Sequence, residues 1–112
     1  MSVNERVITA LSPVGVPVAF QTYSGEADPY ITFFTYLEQP EQHADDRETI
    51  TGQYVQVDLW VKGDYTDLAT VVHQRMTAAG FRRINAYDLY EQDVRVYHKV
   101  LRYVMEESPA TP

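Results

Sequence analysis

Cysteine is absent from the chain. The absence removes disulfide frameworks, thiolate zinc sites and thiol nucleophiles from consideration, and it fits a reducing compartment. Basic residues are few: nine Lys and Arg stand against sixteen Asp and Glu, for a formal charge of −7. A protein that grips nucleic acid by its phosphates needs a basic stripe. The nearest candidate is the pair Arg82-Arg83, so specific nucleic-acid binding is not expected. No apolar run approaches the roughly 18–20 residues of a membrane span, so no membrane partner is expected. The opening Met1-Ser2-Val3-Asn4-Glu5-Arg6 has no basic stretch followed by an apolar block, and predicts no export by signal peptide. The phosphate-loop, dinucleotide, zinc-protease and serine-hydrolase motifs are missing. No catalytic residue, cofactor or metal is therefore predicted, and the chain does not read as an enzyme.

What is present is enough for one core. The chain has 112 residues, 45% of them hydrophobic, which supports one domain and not two. Residues 1–106 read as a single α+β domain and 107–112 as a mobile, polar C-terminal tail. Ser2 and Glu5 have the spacing of a capping box, and Val3, Val7, Ile8 and Leu11 then share a helical face. Ser12-Pro13 stops that helix. Val16, Val18 and Phe20 alternate as a first strand, which Pro17 places at a strand start or sheet edge. Tyr30 to Glu38, rich in β-branched and aromatic residues, is the second strand.

Pro40 to Thr51 reads as a long polar loop. Gln53 to Lys62 alternates as the third strand, with Val55, Val57, Leu59 and Val61 toward the core. Tyr54, Gln56, Asp58, Trp60 and Lys62 take the other face. The main helix runs roughly from Tyr65 to Ala79, with Asp64 as N-cap and Gly80 just past its end. Its apolar face carries Tyr65, Leu68, Val71, Val72, Met76 and Ala79. Phe81 to Tyr90 and Val94 to Met105 form a closing hairpin around Glu91-Gln92-Asp93, and Glu106 begins the tail. The order α-β-β-β-α-β-β predicts an α+β fold. Its mixed or antiparallel sheet of about five strands is packed by the main helix and the short N-terminal helix.

Three histidines are present. His43 neighbours Asp45 and Asp46 but has no convergent third ligand, so it reads as part of a solvated acidic segment. His73 falls off the apolar helix face and is expected at the surface. His98 is expected to be a sheet-face histidine hydrogen-bonded to a neighbour rather than a general base. The excess of nine Tyr, four Phe and one Trp is more informative. Tyr54 and Trp60 share one face of the third strand, and Tyr30, Phe34 and Tyr36 one face of the second. These rings serve either core volume or a buried protein–protein contact. Since four aliphatic residues already fill the core face of the third strand, Tyr54 and Trp60 are candidates for a subunit interface. Arg75, inside the apolar helix stripe, either snorkels to the edge or pairs with an acid of a neighbouring subunit.

The segment Gln56-Val57-Asp58-Leu59-Trp60-Val61-Lys62-Gly63-Asp64-Tyr65-Thr66-Asp67-Leu68 resembles a strand–turn–helix of small tail-completion proteins of long-tailed phages and prophages. These are also called tail terminators or tail-to-head joining proteins. Asp88-Leu89-Tyr90-Glu91-Gln92-Asp93 with Tyr97-His98-Lys99-Val100-Leu101-Arg102-Tyr103 resembles their closing hairpin. The opening helix followed by Val16-Pro17-Val18 resembles their start. The likeness spans residues 3–106. It implies a structural virion subunit with no catalytic residues, which closes into a ring, commonly a hexamer. The implied partners are further copies of the chain, the tail-tube protein and the head–tail connector. The implied location is the tail–head junction of the virion, and the host cytoplasm during assembly.

The acidic segment with Glu41, Asp45, Asp46 and Glu48 is either a solvated, tolerant loop or, in such a ring, faces the lumen. A negative wall there repels passing DNA over about 8–10 Å at physiological salt. The alternative is a small α+β ligand- or peptide-binding domain of a bacterial cell, with the aromatic strand faces lining a pocket.

Overall fold

A computed structural model describes residues 1–44, 47–93 and 95–107. Helix α1 spans Val3–Leu11. Its capping box is formed: the Glu5 amide donates to Ser2 Oγ at 3.1 Å, and the Ser2 amide to Glu5 Oε1 at 3.2 Å. A single 3-10 turn over Ser12–Val14 follows, and Gly15 closes it at φ 86°, a conformation glycine adopts without steric cost. Then come β1 (Val18–Phe20), β2 (Tyr30–Ala44), β3 (Arg47–Val61), α2 (Thr66–Ala78), β4 (Arg82–Glu91) and β5 (Val96–Glu107). The strands form one sheet in the order β1-β2-β3-β5-β4. β1 runs parallel to β2 and every other pairing is antiparallel. The fold is thus α+β, a five-stranded mixed sheet with a short and a main helix, as the element order predicts.

Both helices pack on the sheet face that carries Val55, Val57, Leu59 and Val61. Val7 and Leu11 of α1 and Val72 and Met76 of α2 meet Ile31, Phe33, Leu101 and Tyr103 there, all essentially sealed from solvent. Burying one such aliphatic side chain contributes about 1.5–3 kcal/mol. That docking holds α1, whose nine residues are too few for a helix to persist alone in water. Among the described residues, no helix is long and apolar enough to cross a membrane.

The structure corrects the sequence reading at four places. In the polar stretch from Pro40 to Thr51, the described residues 40–44 and 47–51 are strand and not loop. β2 and β3 pair through it, from Tyr30↔Trp60 as far as Ala44↔Arg47. A hairpin ladder satisfies the backbone regardless of side-chain polarity, so composition misjudged it. Each strand of this hairpin has 15 residues, or about 50 Å at strand rise, matching the 52 Å long axis of the molecule.

Second, Glu106 and Glu107 are not tail. They continue β5 opposite Gly52 and Thr51, because the lengthened β3 offers them a partner; residues 108–112 lie outside the described residues. Third, Tyr65 rather than Asp64 is the N-cap of α2. Asp64 still serves the helix start, accepting from the Thr66 amide at 2.8 Å and from the Thr66 hydroxyl at 2.6 Å. Fourth, Val71 points outward at 40% exposure. The stripe that docks α2 is narrower than the apolar pattern, centred on Val72 and Met76.

Candidate functional site

Among the described residues neither helix packs on the opposite sheet face, whose own side chains seal its centre, with Asp58 and Val100 at 3% and 1% exposure. Strand register lines up its side chains in rows. Tyr30, Trp60, His98 and Leu89 form one row across β2, β3, β5 and β4. Thr32, Asp58, Val100 and Tyr87 form the next, and Phe34, Gln56, Arg102 and Asn85 a third. The alternation that sends Val55, Val57 and Leu59 inward necessarily sends Gln56, Asp58 and Trp60 to this face.

An aromatic stack crosses the first row. The Trp60 ring lies on the His98 imidazole with centroids 3.8 Å apart and planes 17° from parallel. On its other flank the Tyr30 ring stacks at 5.9 Å and 12°. Trp60 Nε1 donates to Thr32 Oγ1 at 2.9 Å, so the indole keeps its polar partner. Trp60 is only half-buried, yet it is engaged with its own chain on three sides.

A polar chain runs beside the stack. His98 Nε2 is 2.6 Å from Asp58 Oδ1, and His98 Nδ1 is 3.3 Å from Glu91 Oε1. Gln56 Nε2 donates to Asp58 Oδ1 at 2.9 Å, and Arg102 Nε donates to Gln56 Oε1 at 3.0 Å. The Arg102 guanidinium ends the chain against the Tyr36 and Tyr87 rings, 5.1 and 5.5 Å from their centroids. His98 and Asp58 are 8% and 3% exposed. Burial alone disfavours the charged imidazole, but the hydrogen bonds and negative charges of Asp58 and then Glu91 more than reverse this. Its pKa therefore stands above the ordinary histidine value. With a carboxylate on each ring nitrogen, His98 is held as a bridge and has no nitrogen left to serve a third group as base. It is the neighbour-bonded sheet histidine that the sequence predicts.

The helix face carries a separate polar cleft. Tyr65, Thr70, His73, Gln74, Arg83 and Lys99 line a depression of about 430 Å³ beside α2. His73, expected at the surface, is instead half-buried, with Nδ1 3.1 Å from the Tyr103 hydroxyl. Burial, and then the Arg83 charge, lower its pKa. Burial pushes the Tyr103 phenol upward. The Tyr65 phenol is pushed up to about 12, chiefly by its hydrogen bond to Asp88, which also pairs with Lys99 Nζ at 2.9 Å.

The remaining candidates fall elsewhere. Arg75 lies exposed on α2. Its Nε donates to the Ala10 carbonyl at 2.9 Å, tying α2 to the last turn of α1. Tyr54 stands on the open face, where its hydroxyl donates to the Glu41 carboxylate. That bond, with a second from Gln39, lowers the Glu41 pKa. Glu41 is thereby fixed on the hairpin beside Tyr54. Asp45 and Asp46 lie outside the described residues, and of Glu48 only the backbone is described, opposite His43. Among the described residues no cluster of acids and histidines has the form of a metal site.

Sequence reasoning named Tyr54 and Trp60 but missed the Asp58–His98 pair. The two are 40 residues apart. Alternation puts each on the open face, but only the β3–β5 register makes them neighbours. No protein-family model matches the chain, and no curated protein matches it.

Proposed function

We propose that the chain is a ring-forming structural subunit that completes a phage tail and joins it to the head connector. The observation that carries this reading is the helix-free sheet face, where Tyr30, Trp60, Tyr36 and Tyr87 surround a polar chain. Aromatic side chains with satisfied polar partners are what protein interfaces concentrate. The resemblance of the β3–α2 and β4–β5 segments to tail-completion proteins supplies the context. In this role the chain acts on no substrate. Further copies of itself, the tail-tube protein and the connector are its partners.

In the ring, Tyr54 and Trp60 face a neighbouring protein, and the acidic end of the β2–β3 hairpin with Glu41 turns toward the passage for DNA. The test is to add the purified chain to uncapped tail tubes. Electron microscopy should show rings seated on tube ends, and the capped tails should become competent to join heads. Tubes that remain bare at saturating protein would defeat the proposal.

A further inference from the structure

β4 is the last strand of the sheet, so one of its two edges is unpaired. On the opposite side, β1 covers β2 only at Ile31, Thr32 and Phe33. From Phe34 onward the outer edge of β2 is also unpaired among the described residues. An unpaired strand edge is a template for another strand. Pro40 has no N–H to donate, which confines the usable β2 edge to Phe34–Gln39, about the length of an ordinary strand pairing.

The side chains at the two edges complement each other. β4 exposes Ile84, Tyr87, Leu89 and Tyr90 at 38–50%. The β2 edge exposes Tyr36 and Leu37 at 37% and 41%. β4 begins with Arg82 and Arg83, whereas the β2 edge carries Glu38, with Glu41 just beyond. Arg83 has no ion-pair partner among the described residues, and the Arg82–Glu106 contact at 3.5 Å is open to solvent.

The geometry points to a second copy of this chain as the occupant: the β4 edge of one copy pairs with the Phe34–Gln39 edge of β2 in the next, continuing the sheet across the subunit boundary. The argument for self-pairing is that both complementary halves, apolar against apolar and basic against acidic, stand on one chain. Two different edges make the contact heterologous, so repetition closes a ring or extends an open chain. This inference rests on the reading of the chain as a ring subunit, and names the surface through which the ring is built.

The cysteine-free sequence makes the test direct. Leu37→Cys, which shares the open face with Tyr54, is mixed with Asn85→Cys, Tyr87→Cys or Leu89→Cys of the same face in separate chains under mild oxidation, with exposed Thr9→Cys on α1 as control. The expected result is a mixed disulfide between Leu37→Cys and at least one β4 variant, in clear excess over pairs with Thr9→Cys. In parallel, Arg83→Glu and Glu38→Arg should each weaken self-association about fivefold, as a reversed cross-strand charge does, and their mixture should restore it. Assemblies that form without any β2–β4 disulfide overturn the inference and leave the ring reading standing. β2–β4 disulfides in open chains that never close and never seat on tail tubes support the inference and overturn the ring reading. A chain that stays monomeric at every concentration, with and without tail tubes, overturns both.

Discussion

Asp58 and His98 meet on adjacent strands with Oδ1 and Nε2 2.6 Å apart, and the Trp60 ring lies flat against the imidazole. The pair gives stability a defined pH dependence. The folded-state pKa of His98 is raised above the ordinary value of about 6.5. Below that ordinary value the stabilisation is fully present. It is lost as pH rises through the higher folded-state value. Urea unfolding of the native chain and of His98→Gln should therefore differ most near pH 6 and progressively less toward pH 9. His73, whose shift has the opposite sign, is common to both chains and cancels. A difference independent of pH would show that the pair carries no charge.

Trp60→Ala should lower monomer stability by about 1–3 kcal/mol, less than the 3–5 of a fully buried aromatic. The indole stands outside the helix-packed core, yet stacks on His98 and Tyr30 and bonds Thr32. Any effect on the proposed tail–head joining is read at a temperature where the variant remains folded. Unchanged unfolding would mean that the stack carries no energy within the monomer.

Arg102→Lys keeps the charge but loses the flat guanidinium between Tyr36 and Tyr87 and the Nε bond to Gln56. The expected loss is about 0.5–1.5 kcal/mol, from weaker cation–π contact and one hydrogen bond. Denaturant midpoints at low and high salt check it, since contacts of this packed kind are screened less than exposed ion pairs.

Leu11→Ala should cost about 2–5 kcal/mol, because Leu11 is fully buried. Arg75→Ala should cost about 0.5–1.5 kcal/mol through the lost bond to the Ala10 carbonyl. The two effects should fall short of additivity, since both act on the docking of α1. Equal and independent losses would mean that α1 is held by its packing and by Arg75 separately.

Much of this architecture is written in local patterns. Ser2 and Glu5 announce α1, and the run Val55, Val57, Leu59, Val61 fixes both faces of β3 at once. The hairpin end was illegible because Glu41, Gln42 and their neighbours carry no apolar alternation from which a strand could be read. The open face was half legible. Parity alone places Trp60, Asp58, His98 and Arg102 on it, but which of them touch depends on the β3–β5 register, and that is set by the whole sheet. His73 was misjudged for the same reason: Tyr103, its partner, comes from a strand 30 residues away.

β3 takes its two partners from very different distances along the chain. β2 immediately precedes it, whereas β5 arrives only after α2 and β4. Closing a hairpin sacrifices less chain entropy than closing over a helix and a strand, so the β2–β3 ladder should gain protection first in pulsed hydrogen exchange, and β5 last. Yet β5 brings Leu101 and Tyr103 to one face and His98 and Arg102 to the other. The aromatic face and the Leu101–Tyr103 share of the core are therefore completed only when β5 docks. Until then Asp58 and Gln56 stand without His98 and Arg102, so synthesis halted before β5 should leave the β2–β3 hairpin paired and the aromatic face unbuilt.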